Sequence, residues 1–173
     1  IRPFAASLQP GDRVSFLMEN GGIDGPGECS VGFAFHNRFD QRLAEFYFYG
    51  GDATYKLKDG DGIWDTGVAW TDAGLSVDFK LLSPVTYSFQ VGSFGHTGDL
   101  LRVSDPQIAV FRAWNYSAGS GPDHNFYLNN LSVSGGQWAA YDFITLIRSP
   151  AEGDLDTDHD GLRDAWEQTI VDA

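Results

Sequence analysis

The sequence predicts an all-β fold: a two-sheet antiparallel β-sandwich of jelly-roll type, ending in a short acidic loop and helix. Three observations predict it. Apolar residues recur at every second position in four separate runs, which is the period of a strand with one buried face. Gly, Pro, Asp and Asn cluster between those runs, where turns are needed. Aromatics make up 14% of the chain beside 21 glycines, a composition that suits pleated, half-buried strands rather than helices.

Taken along the chain, residues 13–19 alternate through Val14, Phe16 and Met18, and residues 30–37 through Val31, Phe33 and Phe35. Residues 43–49 are apolar on both faces except at Glu45, the pattern of a central strand. Residues 75–82 and 85–91 alternate through Leu75, Val77, Phe79 and Leu81, then Val85, Tyr87, Phe89 and Val91. Only Ser83-Pro84 and their neighbours separate the two, so they read as a hairpin. Residues 108–114 form a second two-faced run, with Ile108, Val110 and Trp114 on one side and Ala109, Phe111 and Ala113 on the other, broken only by Arg112. Residues 126–133 make a strand pair or one bent strand, with Asn129-Asn130 as bulge or turn. Residues 138–147 are dense in apolar groups and suit a last buried strand, with a helix as the alternative. Roughly eight to ten such strands bury their faces only against a second sheet.

The balance of 11 Lys and Arg against 24 Asp and Glu, a net charge of −13, argues against a nucleic-acid partner, which requires a basic stripe. It also disfavours docking on anionic membranes, and no apolar stretch is long enough for insertion. Cys29 is the single cysteine, so there is neither a disulfide framework nor a thiolate cluster, and a small buried apolar role is expected of it. His36, His96, His124 and His159 are scattered without metal-ligand spacing. The chain opens on Ile1 without a signal-peptide pattern, and is expected to be a mature or excised piece of a longer protein.

The most specific motif is at the other end. Asp156, Asp158, Asp160, Gly161, Leu162, Asp164 and Glu167 occupy a twelve-residue pattern, D-x-[DN]-x-[DN]-G-x5-E, at every specified place. A hard cation with six or seven oxygen ligands requires carboxylates from alternate residues of a tightly curled loop. Asp156, Asp158 and Asp160 supply the first three, Gly161 permits the sharp turn and the Leu162 carbonyl is the backbone ligand. Asp164 acts directly or through water, and Glu167 closes the site with both oxygens. Ca2+ is therefore the expected cofactor. Leu162, Trp166 and Ile170 share one face of an exit helix. The expected organisation is a β-sandwich module over residues 1–148, then a linker and calcium loop over residues 149–173.

The loop resembles those of EF-hand and dockerin type and the thrombospondin type 3 repeats of bacterial surface proteins. Pro150 and Gly153 stand where an entering EF-hand helix would lie, so the resemblance implies a structural or linker calcium rather than a switch. The string from Phe126 to Val133 resembles the closing strand of concanavalin-A-like and jelly-roll carbohydrate-binding modules. The segments GGIDGPGECSVGFAFHN and RLAEFYFYGG are similar to sandwich modules of large secreted bacterial proteins. That similarity implies a non-catalytic accessory module, secreted or on the cell surface, beside further domains of the same chain.

Sugar sites need flat aromatic faces with amides and carboxylates around them. The candidates are Trp64, Trp70, Trp114, Asn115, Tyr116 and His124, all beside turns, with a core or edge-covering role as the competing account of each Trp. Asp59, Asp61 and Asp65 form a second acidic loop, and Glu19, Asn20, Asp24 and Glu28 surround Gly21-Gly22. Each group is a candidate for a second calcium, and Asp-Gly turn chemistry explains the first equally well. A glycosidase would need two facing carboxylates. Glu45 is the only acid inside a strongly apolar strand, and Arg42 or Arg112 is its expected partner.

The expected function is non-catalytic binding of polysaccharide or cell-surface glycan. A structural or adhesive spacer is the first alternative, and a glycoside-cleaving sandwich the second. For the C-terminal loop, the double variant Asp158→Ala/Glu167→Ala is expected to lose calcium uptake by isothermal titration. Uptake equal to the parent's would remove the metal from this loop.

Overall fold

Period-two segments become strands here because each buries one row of side chains while the backbone groups pair sideways. The computed structural model describes residues 1–25 and 29–134 together with the strand Tyr141–Leu146. In chain order the strands are β1 (Arg2–Pro3), β2 (Arg13–Asn20), β3 (Ser30–His36), β4 (Arg42–Tyr49), β5 (Thr54–Asp59) and β6 (Gly62–Ala69). They continue as β7 (Leu75–Leu81), β8 (Thr86–Val91), β9 (Phe94–Asp99), β10 (Val110–Tyr116), β11 (Phe126–Val133) and β12 (Tyr141–Leu146). A single 3-10 turn, Pro122–His124, precedes β11.

The strands form two six-stranded sheets, β1-β10-β3-β4-β5-β6 and β12-β11-β2-β7-β8-β9. Every pairing is antiparallel. The chain is therefore the all-β, two-sheet jelly-roll sandwich that the alternation predicts. Residues 82–85 close the β7–β8 hairpin, with the Leu82 and Ser83 amides donating to the Thr86 carbonyl. Asn130 takes a left-handed φ of 56°, and the β11–β2 register shifts between Asn129 and Ser132, so Asn129-Asn130 is a bulge. Residues 141–146, inside the two-way segment, pair with β11 as a strand. Cys29 is free and half-buried.

Two elements differ from expectation. Asp59, Asp61 and Asp65, read as one acidic loop, are spread over the end of β5, the Gly60-Asp61 turn and the paired strand β6. The inward row of β5 is Tyr55, Leu57 and Asp59, so a carboxylate takes the place of the third apolar residue. Strand β9 escapes the alternation test because Phe94 is its only large apolar residue.

The core lies between the sheets and is rich in aromatic rings. Phe33 sits 4.9 to 6.3 Å, centroid to centroid, from Phe16, Phe35, Phe46, Phe89 and Phe111, so it joins rings from both sheets. Phe33→Ala is expected to cost about 3–5 kcal/mol in urea denaturation, the range for a large buried ring that leaves a cavity. A loss below about 1 kcal/mol would mean that the two sheets close over the gap.

Candidate functional site

Strand β3 turns Val31, Phe33 and Phe35 to the core, and therefore Ser30, Gly32, Ala34 and His36 to the outer face. Three of those four outer residues are small. The neighbouring strands set large side chains beside them: Arg112, Trp114 and Tyr116 of β10 lie opposite Ala34, Gly32 and Ser30. On the other flank Glu45, Tyr47 and Tyr49 of β4 lie opposite the same three residues. A row of small residues between two rows of large ones leaves a trough. The groove measures about 290 Å³ and is lined by Ser30, His36, Arg42, Arg112, Trp114 and Tyr116.

The Trp114 indole reaches across β3, where its Nε1 donates to Ser30 Oγ at 3.1 Å. A Cβ placed on Gly32 would come within 2.7 Å of Trp114 Cζ2, so glycine is what lets the ring cross. Tyr116 follows on the same face, 55% exposed.

The groove's charged groups are held by acids at its edges. Arg112 Nη2 lies 2.9 Å from both carboxylate oxygens of Asp40. Arg42 Nη1 lies 2.6 Å from Glu45 Oε2, and Lys58 Nζ lies 3.8 Å from Glu45 Oε1. Of the two expected partners of Glu45, Arg42 is the one it takes. His36 Nδ1 is 3.1 Å from the Asp40 carbonyl and 3.0 Å from its Oδ1. Asp40 reaches this position because the β3–β4 turn is built on buried Asn37, whose Oδ1 accepts from the Phe39 and Gln41 amides. Burial, and next the Glu45 carboxylate, raise the Tyr47 phenol above its ordinary pKa.

The remaining predicted residues fall into two other places. Trp70 donates from Nε1 to the Gly21 carbonyl at 3.2 Å, His124 Nδ1 meets the Gly22 carbonyl at 2.7 Å, and Asn115 donates to the His124 carbonyl at 3.0 Å. These three therefore pack around the turn after β2. Only Trp114 and Tyr116 of the six candidates share the groove.

Trp64, 40% exposed, belongs to a third cluster around Asp59. Asp59 has a fully buried side chain with five donors or near neighbours. Its Oδ2 accepts from Tyr87 Oη at 2.7 Å and lies 2.8 Å from His96 Nε2, while Oδ1 accepts from Trp64 Nε1 and the Asp61 and Gly62 amides. Burial by itself raises the Asp59 pKa, but the hydrogen bonds from Tyr87, His96, Trp64 and Asp61 outweigh it, so the carboxyl titrates below its ordinary value. Burial, followed by the Asp59 hydrogen bond, raises the Tyr87 phenol.

The second-calcium candidates are not gathered at one point. Asp59, Asp61 and His96 come within 4.8 Å of one another, but Asp59 is already saturated by protein donors and Asp61 Oδ2 accepts from the Asp99 amide. Asp65 points to the opposite face, with Lys56 Nζ at 2.7 Å and Thr54 Oγ1 at 2.6 Å. Asn20 is buried and accepts from Tyr55 Oη at 2.5 Å, whereas Asp24 is exposed, its Oδ1 4.0 Å from His124 Nε2. Glu19 is half-buried on β2, and Glu28 lies outside the described residues. The loop residues Asp156, Asp158, Asp160, Leu162, Asp164 and Glu167 also lie outside the described residues.

Ser30, Gly32, His36, Arg42 and Arg112 were not among the sequence candidates. The signal was present in 30–36, where period two puts a serine, a glycine, an alanine and a histidine on the face opposite the phenylalanines.

No protein-family model matches the chain, and no curated protein sequence does. Among solved structures, two variants of human galectin-16 align with TM-scores of 0.53 and 0.50 at 12% and 13% identity. Each alignment covers 76% of this chain and 92% of the galectin. A sialidase aligns with a TM-score of 0.48 and 13% identity over 66% of this chain, and the chain spans only 10% of that sialidase's length. The chain thus has the galectin-type jelly-roll fold.

Asp59 supports a pH prediction. Its folded pKa is depressed, so its contribution to stability is complete above the unfolded carboxyl value of about 3.9 and disappears as pH falls through the folded value. Denaturation between about pH 5 and pH 2 is expected to show a steeper loss for the parent than for Asp59→Asn. At pH 7, Asp59→Ala is expected to lose about 3 kcal/mol or more, since it strands Tyr87, His96 and Trp64. Parallel pH profiles would show that folding does not shift the Asp59 pKa.

Proposed function

We propose that this chain is a non-catalytic carbohydrate-binding module and that its sugar site is the outer-face groove of β10, β3 and β4. The observation that carries this reading is the pairing of Trp114 and Tyr116 with two guanidinium groups along one open trough. Sugar rings present apolar faces that stack on aromatic rings and hydroxyls that need fixed polar partners at their edges. The ion pairs Arg112–Asp40 and Arg42–Glu45, each through one terminal nitrogen, hold such partners in set orientations. A trough open along the sheet suits an extended polymer better than a small buried ligand.

Binding rather than cleavage is favoured by the state of Glu45. Its carboxylate is engaged by Arg42 and Lys58 and is buried, which suits a counter-ion more than a proton donor. The module would occupy residues 1–148, and residues 149–173 would form a calcium-stiffened connector to further domains of a secreted or cell-surface protein. The connector rests on the twelve-residue loop pattern alone.

Retention of the purified chain on a panel of soluble and insoluble polysaccharides tests the groove. Trp114→Ala is expected to weaken binding by about tenfold or more, ~1.4 kcal/mol, with an unchanged circular dichroism spectrum. No retention on any polymer would favour the spacer reading, and release of reducing ends would favour the enzyme.

A further inference from the structure

The groove's polar groups are unequally divided between donors and acceptors. Arg42 and Arg112 supply donors from both sides, while the carboxylate of the flanking row, Glu45, is buried and already engaged by Arg42 and Lys58. Each guanidinium gives one terminal nitrogen to an acid at the edge, Asp40 or Glu45. Arg112 Nε is buried and has no acceptor among the described residues. The lining oxygens are hydroxyls, and Ser30 Oγ already accepts from Trp114. A neutral sugar hydroxyl both donates and accepts, so a trough short of acceptors leaves its protons unpaired. A carboxylate or sulfate only accepts, and its planar or forked oxygens match a guanidinium edge.

Charge alone does not draw a polyanion here. On this outer face the ion pairs join Arg42, Lys56, Lys58 and Arg112 to Glu45, Asp65 and Asp40, four cations to three acids. The chain as a whole has a net charge of −13. The groove's own ion pairs, Arg42–Glu45 and Arg112–Asp40, balance, so the trough is close to neutral on a protein whose overall field opposes a polyanion.

We infer that the groove selects an acidic glycan, one whose sugars bear carboxylate or sulfate groups: Trp114 and Tyr116 stack on the ring while Arg112 and Arg42 take the anionic group. This rests on the groove being the sugar site. The selection arises from the arginine pair, and the overall charge of the chain works against it, so non-specific attraction cannot imitate it.

The test compares matched polymers with the full chain, in chelator so that no calcium bridge contributes. Polygalacturonate is set against its full methyl ester, and dextran sulfate and carboxymethyl-dextran against plain dextran. These arms separate carboxylate from sulfate. Acidic polymers are expected to bind about tenfold or more tightly than their neutral partners and to weaken as salt rises. Arg112→Gln is expected to remove that preference, and Arg42→Gln provides a second variant should the first unfold. Equal, Trp114-dependent binding of neutral and acidic polymers would overturn acidic selection and leave the glycan reading standing. Binding of none would overturn both. Acidic binding indifferent to Arg112→Gln and Arg42→Gln would place the contact outside the groove and end the proposal.

Discussion

Strand β3 is buried on both faces along its whole length, from Ser30 to His36, and the rest of the molecule is arranged around that constraint. A strand with two buried faces needs cover on each. Inside, Phe33 and Phe35 meet rings from the opposite sheet, with Val31 buried in the same core, which fixes how closely the two layers pack. Outside, the described residues supply no third layer, and their cover comes from side chains of the flanking strands leaning inward. Trp114 does this over Gly32, and the residues over Ala34 are Arg112 and Glu45. The core and the groove are thus two consequences of one strand. Any enlargement at Gly32 would press on the Trp114 ring and on the β4 backbone at Phe46 and Tyr47, and so disturb the groove and the β3–β4 pairing together.

A second constraint operates at the far end of the same sheet, where Asp59 takes an inward position that alternation assigns to an apolar residue. A buried carboxylate is tolerated only when its lone pairs are met, and here the hairpin amides, an indole, an imidazole and a phenol meet them. This accounts for the local composition without a metal. The Asp59-Gly60-Asp61-Gly62 string is a turn whose first aspartate also ties β5 and β6 to β8 and β9 across the sandwich. Trp64 belongs to that tie through its Nε1, which makes it an edge-covering residue with a structural bond.

Sequence alone revealed the sandwich wherever apolar residues alternated, and it failed where a strand's inward row was polar or small. β5 and β6 were obscured by Asp59, Thr66 and the glycines, and β9 by Gly95, His96 and Gly98. In each case the strand is held by ladder pairing and neighbouring side chains, neither of which leaves a periodic trace in the sequence. The site was legible only in part for a related reason. Trp114 and Tyr116 stand out as turn-adjacent aromatics, but Arg42 and Arg112 are far apart in sequence and meet only through the β4–β3–β10 pairing. His124, Asn115 and Trp70 looked equally exposed in sequence, yet each turns to the backbone of the loops beside it. Long-range strand order sorts those alternatives, and no local pattern encodes it.

The acids beside the groove present an apparent paradox, because Asp40 and Glu45 reduce the positive charge on the residues that would hold an anion. The physical resolution lies in the difference between field strength and placement. A free surface arginine samples many rotamers, and fixing one on binding has an entropic cost of the order of 1–2 kcal/mol. An arginine held by a carboxylate on one edge has already met that cost, and its remaining donors keep a defined direction. Asp40 is itself set by the Asn37 turn and by its positive φ of 61°, so the orientation of Arg112 is fixed through backbone as well as charge. The groove therefore gives up some long-range attraction for short-range geometry. If the groove is the sugar site, it would read the shape of an anionic group, and an acidic chain would need that arrangement more than most, since its overall field gives no help in collecting the ligand.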